Sequence, residues 1–81
     1  MELENKTTKA IMDAIIDFWQ KNHYSPSIRE IMSMTGVNST SLVRHHIRKL
    51  ASVGLIEYEP RTARSIRPSN LIINVFIERR L

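Results

Sequence analysis

Five residues punctuate this sequence: Gly36 and Gly54 are its only glycines, and Pro26, Pro60 and Pro68 its only prolines. Proline drives the residue before it out of helical angles, and glycine supplies the conformation in which many helices end. The chain must therefore be assembled from short pieces. One lies before Pro26, one between Pro26 and Gly36, and one between Gly36 and Gly54. Two brief runs flank Pro60.

Apolar spacing says what each piece becomes. Ile11, Ile15 and Phe18 fall at i, i+4 and i+7 with Ala10 and Ala14 beside them, which predicts an amphipathic helix over 8–20. Thr7 or Thr8 can cap its start, and Asn22-His23 should end it. Lys9, Asp13, Asp17 and Lys21 follow at spacing four as a solvated face of ion pairs. Tyr24-Ser25-Pro26 then resets the chain. Ser27-Ile28-Arg29-Glu30 has the form of a capping box, opening a short helix with Ile28, Ile31 and Met32 inward and Gly36 as its stop. After a Gly36-Val37 turn, Asn38 or Ser39 caps a third helix to about Val53, with Val43, Ile47 and Leu50 inward and Gly54 just past its end. Leu55–Glu59 reads as a short strand, 60–64 as a polar turn and Ser65–Arg67 as a returning strand that Pro68 breaks. Two helices around a tight glycine turn, followed by a hairpin, give an α+β fold: a three-helix winged helix-turn-helix. Residues 1–68 form that domain and 69–81 a separate tail.

Composition excludes several classes. A chain of 81 residues buries only about 60% of its unfolded surface, yet it has no cysteine to reinforce so thin a core. A disulfide scaffold, a thiolate zinc finger and a cysteine nucleophile are excluded. His45 and His46 are adjacent and point about 100° apart on a helix, and no His-x-x-x-His pair exists, so no metal site is expected. His46 is expected at the core edge, and His23 as a cap or a solvated residue. There is no glycine-rich phosphate loop, paired-carboxylate cleft or nucleophile elbow. The expectation is therefore no enzyme, no catalytic residue, no cofactor and no small-molecule ligand. A charged N-terminus without a following apolar stretch, and apolar runs no longer than three residues, predict a cytoplasmic protein without a membrane span.

Charge has a direction along the chain. Residues 1–23 carry three lysines and four acids for a net −1, whereas 24–81 carry nine Lys or Arg and four acids for a net +5. A basic side of this kind suits a polyanion. On the third helix the residues not needed by the core include Ser39, Ser41, Leu42, Arg44 and His45, near the end that meets base edges in a helix-turn-helix. Arg44 can give two hydrogen bonds to guanine, the serines can donate or accept, Leu42 can touch a thymine methyl and His45 can donate to an acceptor. Leu42 packed against the second helix is the alternative. Thr40, Arg48 and Lys49 on the same helix, Arg61, Thr62, Arg64 and Arg67 on the hairpin, and Ser27 with Arg29 at the second helix's N-terminus suit phosphates. Solvated basic surface, and a capping box that serves only its helix, are the plainer readings.

The ordered set resembles a known family. Tyr24-Ser25-Pro26-Ser27-Ile28-Arg29-Glu30-Ile31 is similar to the Pro-x-x-Arg-Glu-Ile start of the second helix in LexA repressors. Gly36 through Leu50 resembles their turn and recognition helix, and Gly54-Leu55-Ile56 with Glu59 through Ile66 their wing. The resemblance covers roughly residues 8–68. It implies a winged-helix operator-binding domain with base contacts at Ser39, Ser41, Leu42, Arg44 and His45. Arg44 and His45 stand where some members carry acids, so the operator need not match theirs. LexA repressors continue into a self-cleaving domain with a Ser-Lys dyad that also dimerises them. The sequence ends at Leu81, which leaves no room for that domain, so self-cleavage is not expected.

The tail, Ser69–Leu81, has Leu71, Ile73, Val75 and Ile77 in alternation, which favours a strand. A helix is the alternative, with Ile72, Val75, Phe76 and Arg79 on one face. It either covers the core or forms a homodimer for paired half-sites. The partner expected overall is double-stranded DNA, bound by a sequence-specific transcription regulator that is expected to be a repressor. A winged helix used for protein–protein contact and a nonspecific nucleic-acid binder are the alternatives.

Overall fold

The computed structural model describes residues 2–77, with side chains from 6 to 75. Three helices come first: α1 (Glu2–Asn22), α2 (Ile28–Thr35) and α3 (Thr40–Ser52). A two-stranded antiparallel sheet follows, β1 (Ile56–Glu57) with β2 (Arg67–Pro68), then one helical turn α4 (Asn70–Ile72) and a π-helical stretch Ile73–Ile77. This is the three-helix winged helix-turn-helix that the punctuation predicts.

Each cap has a visible cause. The Ser27 hydroxyl accepts from the Glu30 amide at 3.1 Å while the Ser27 amide donates to Glu30 Oε1 at 2.8 Å, so the capping box is complete. Gly36 leaves α2 at φ 80°, and its amide donates to the Met32 carbonyl at 2.9 Å. Ser39, rather than Asn38, caps α3 by accepting from the Leu42 amide at 3.2 Å. His23 ends α1 at φ 62°, with its amide on the Trp19 carbonyl at 2.9 Å. A histidine thus takes the left-handed exit that glycine usually occupies.

α1 is longer than its apolar period indicates. It begins at Glu2 and not at a Thr7 or Thr8 cap. A helix can run on through a polar stretch that carries no apolar face, and such a stretch leaves no period to mark it. Lys9 and Lys21 pair with Asp13 and Asp17 at 2.8 and 3.4 Å along its solvated side.

The core is built largely of β-branched residues. Ile11, Ile15, Ile31, Val43 and Ile47 are fully buried, and Leu50, Ile56 and Ile66 join them. Each such side chain contributes about 1.5–3 kcal/mol relative to exposure. Ala10 and Phe18 are the exceptions on α1. Ala10 is exposed, and Phe18 sits at the margin with its ring edge-on to Tyr24 at 5.3 Å.

His46 corrects the sequence expectation. It lies inside the core and not at its edge, 1% exposed. A buried imidazole needs a polar partner, and Thr8 Oγ1 shares a hydrogen bond of 2.8 Å with its Nδ1. The same contact ties α3 to α1 and sets the face that α3 turns outward.

The sheet is shorter than expected and includes Pro68. The register pairs Ile56 with Pro68 and Glu57 with Arg67. The next rung carries a hydrogen bond from the Ser69 amide to the Leu55 carbonyl at 3.1 Å. Rungs of an antiparallel pair alternate between bonded and non-bonded, which puts Pro68 on a non-bonded one, where the ladder needs no donor.

The start of the tail is helical where alternation favours a strand. Ser69 caps the turn, and the neighbouring side chains Ile72 and Ile73 are 4% and 8% exposed. Strand neighbours point to opposite faces, so one layer of core could not take both. A helical turn can. Residues 78–81, Arg79 among them, lie outside the described residues. Among the described residues, no helix is long and apolar enough to cross a membrane.

Candidate nucleic-acid interface

Burial of Val43, His46, Ile47 and Leu50 defines the inner face of α3 and leaves the rest to solvent. Thr40, Ser41, Arg44, His45, Arg48 and Lys49 are all exposed, and Ser39 partly so. Leu42 is 42% exposed, so packing against α2 does not hide it. The Ser39 hydroxyl already accepts from the Leu42 amide, and its own hydrogen remains available to donate. His45 stands edge-on to the buried His46 with ring centres 5.1 Å apart, which orients it at the surface.

A concave groove of about 340 Å³ brings the three basic regions together. Ser27 and Arg29 come to it from the start of α2, Arg44 from α3, and Arg61, Thr62 and Arg64 from the wing, over a floor that includes Ile28, Tyr58 and Ile66. Residues far apart in sequence therefore form one continuous basic surface. Among the described residues, Arg29, Arg44, Arg48 and Arg61 have no hydrogen bond or ion pair, and all four are exposed.

The other two wing cations are held differently. Arg64 donates from its two terminal nitrogens to both oxygens of Glu30, at 2.9 and 3.2 Å, and to the Ser25 carbonyl at 3.0 Å. Its guanidinium also lies 5.2 Å from the centre of the Tyr24 ring. The Arg64 hydrogen bonds, followed by the Ser27 amide, hold the Glu30 carboxyl below its ordinary range, and Glu30 in turn raises Arg64. Arg67 stacks its guanidinium 5.1 Å from the centre of the Trp19 ring. Its Nε is 3.9 Å from Glu57 Oε1, an ion pair too long for a hydrogen bond, and it has no hydrogen-bond partner among the described residues.

The wing loop is closed by Ser65, whose hydroxyl accepts from the Glu59 amide at 3.0 Å and donates to the Glu59 carbonyl at 2.9 Å. Within it Arg61 and Arg64 take positive φ, 71° and 53°. Sequence reasoning missed Tyr24, Ser25 and Glu30 as wing partners. The local sequence pattern gives Glu30 only its capping role, and no spacing rule links it to a residue 34 positions later. Among the described residues, no group of three or more His, Cys, Asp and Glu is gathered as a metal site.

Comparison with known proteins agrees with this geometry. The family model described as LexA DNA binding domain matches residues 3–65. The LexA repressor of Acetivibrio thermocellus is 36% identical over 66 residues, 82% of this chain and 31% of that protein. The LexA repressor of Roseiflexus sp. is 41% identical over 61 residues, 75% of this chain and 28% of its own length. That of Ligilactobacillus salivarius is 36% identical over 66 residues, 82% of this chain and 32% of its own. The chain thus corresponds to less than a third of these relatives. No solved structure gives a significant match. With a family match over most of its length on the fold just described, the chain belongs to the LexA DNA-binding-domain family.

Proposed function

We propose that this chain is the sequence-specific, double-stranded-DNA-binding part of a transcriptional repressor. α3 enters the major groove, and the wing and the start of α2 rest on the flanking phosphates. Base reading falls to Ser39, Ser41, Leu42, Arg44 and His45. Phosphate contacts fall to Ser27, Arg29, Thr40, Arg48, Lys49, Arg61 and Thr62. Arg64 and Arg67 add positive charge to that surface while their guanidinium groups are engaged within the protein. The protein acts by binding and not by catalysis.

One observation carries this reading: Arg29, Arg44 and Arg61, from three separate elements, line a single groove without an intramolecular partner among the described residues. A cation brought to a shared concave surface and left unpaired is available to an anion. Selection from random duplex DNA, followed by mobility shifts with competitor at two salt concentrations, tests it. One preferred sequence should emerge, with affinity falling as salt rises. Absence of any duplex binding at about 50 mM salt, where phosphate contacts are strong, would refute it.

A further inference from the structure

The wing is a short hairpin whose strands are two residues each, paired Ile56–Pro68 and Glu57–Arg67. Strands this short hold the base of a hairpin and leave its tip, residues 60–64, without ladder support. Local bonds from Ser65 and the Thr62 amide to Glu59 close the loop on itself, and what ties its tip to the helices is Arg64. Its donors reach Glu30 in α2 and the Ser25 carbonyl just before that helix, and its face covers Tyr24. Glu30 is itself fixed, because one of its oxygens accepts the Ser27 amide in the capping box. Tyr24 is steadied by the edge-on Phe18 ring. The partners of Arg64 are therefore preset by α1 and α2, and the wing docks onto a prepared surface.

Arg61 and Arg64 make an instructive pair. Both take the left-handed conformation that disfavours a side-chain-bearing residue. At Arg64 that strain is offset by three hydrogen bonds and a ring contact. At Arg61 the conformation is that of a β-turn closed by the Thr62 amide donating to the Glu59 carbonyl at 3.1 Å, and the guanidinium itself has no partner among the described residues.

We propose that Glu30 and Arg64 form a latch that fixes the wing beside α3, making them positioning residues through which Arg61 is presented to a DNA phosphate. This rests on the DNA-binding reading above and adds to it. An acidic residue bonded to an arginine of the polyanion-binding groove is then required for tight binding, opposite to what its charge alone implies.

That opposition of sign supplies the test. Glu30→Gln keeps an oxygen for the Ser27 amide, so the capping box survives, while the charged pair with Arg64 is lost. Simple electrostatics makes this variant bind DNA more tightly, because a negative charge paired with a groove arginine has been removed. The latch makes it bind about three- to fivefold more weakly, the contribution of a partly exposed ion pair. The experiment uses the full chain on its selected duplex and follows amide hydrogen exchange at Arg61–Ser65 in the free protein. The expected result is faster exchange in the wing, unchanged exchange in α3 and weaker binding.

Equal or tighter binding overturns the proposal, whatever the wing does. Weaker binding with an unchanged wing also overturns it, because the loss would not pass through wing order. If Glu30→Gln does not fold, Arg64→Gln combined with Arg61→Ala decides the matter. The latch predicts that Arg61→Ala costs less once Arg64 is gone, and simple addition of the two losses contradicts it. Should the unmodified chain bind no duplex, the DNA reading falls by itself. Wing exchange in Glu30→Gln then judges the latch alone, faster exchange supporting it and unchanged exchange overturning it.

Discussion

Helix α3 and the wing are both basic, yet they keep their cations in different ways. On α3 the core takes Val43, His46, Ile47 and Leu50, and helical geometry turns Arg44 and Arg48 to solvent with no intramolecular partner among the described residues. On the wing, Arg64 and Arg67 fold back onto Glu30 and Trp19, leaving Arg61 as the wing guanidinium without a partner among the described residues. A helix separates its core residues from its exposed cations by angle. A hairpin this short cannot, so some of its cations must hold the hairpin in place. Equal charge in a sequence therefore does not mean equal availability to DNA.

The largest effect expected lies in the contrast between the two faces of α3. Ile47→Ala removes a fully buried side chain and should cost about 2–5 kcal/mol of stability in chemical denaturation. Arg48→Ala should leave stability within about 0.5 kcal/mol and lower the slope of log affinity against log salt by about one. If both variants unfold alike, the division of the helix into two faces is wrong.

A smaller effect sharpens the account of the wing. Arg61→Gly relieves a backbone at φ 71° and should leave stability undiminished while weakening DNA binding for all sequences alike. A loss of stability would show that Arg61, like Arg64, holds the fold. The salt slope should again fall by about one.

The smallest effect is in pH. Glu30 is held below its ordinary range, first by Arg64 and then by the Ser27 amide. A depressed carboxyl stabilises the fold fully above its unfolded-chain value, and that contribution fades as pH falls through the folded value. Wing amides at 61–65 should therefore exchange faster, relative to those of α3, as pH drops below about 5. Glu30→Gln should abolish the difference. Exchange rates would be corrected for the intrinsic effect of pH.

Much of this was legible in the sequence because it is local. The capping box, the Gly36 stop, the α3 core face and the order of helices and hairpin depend on spacings of a few residues. The three basic regions were also legible, although their meeting in one groove follows only from packing. What was hidden depends on distance. The burial of His46 needs Thr8, 38 residues away, and the engagement of Arg64 needs Glu30, 34 residues away. The tail misled for a different reason. β-branched residues in alternation suit a strand, but Ser69 and the space available to Ile72 and Ile73 favoured a helical turn. The polar start of α1 carried no apolar period to mark it.

The central claim is that α3 reads sequence while the wing supplies grip. Its most direct test measures the affinity of the unmodified chain, Arg44→Ala and Arg61→Ala for the selected duplex and each of its single-base-pair variants. The account predicts that Arg44→Ala loses about 1–3 kcal/mol on the best site and becomes indifferent at one base pair. Arg61→Ala should weaken every duplex by a similar factor and keep the order of preference. A base-specific loss from Arg61→Ala, with a uniform one from Arg44→Ala, would contradict it.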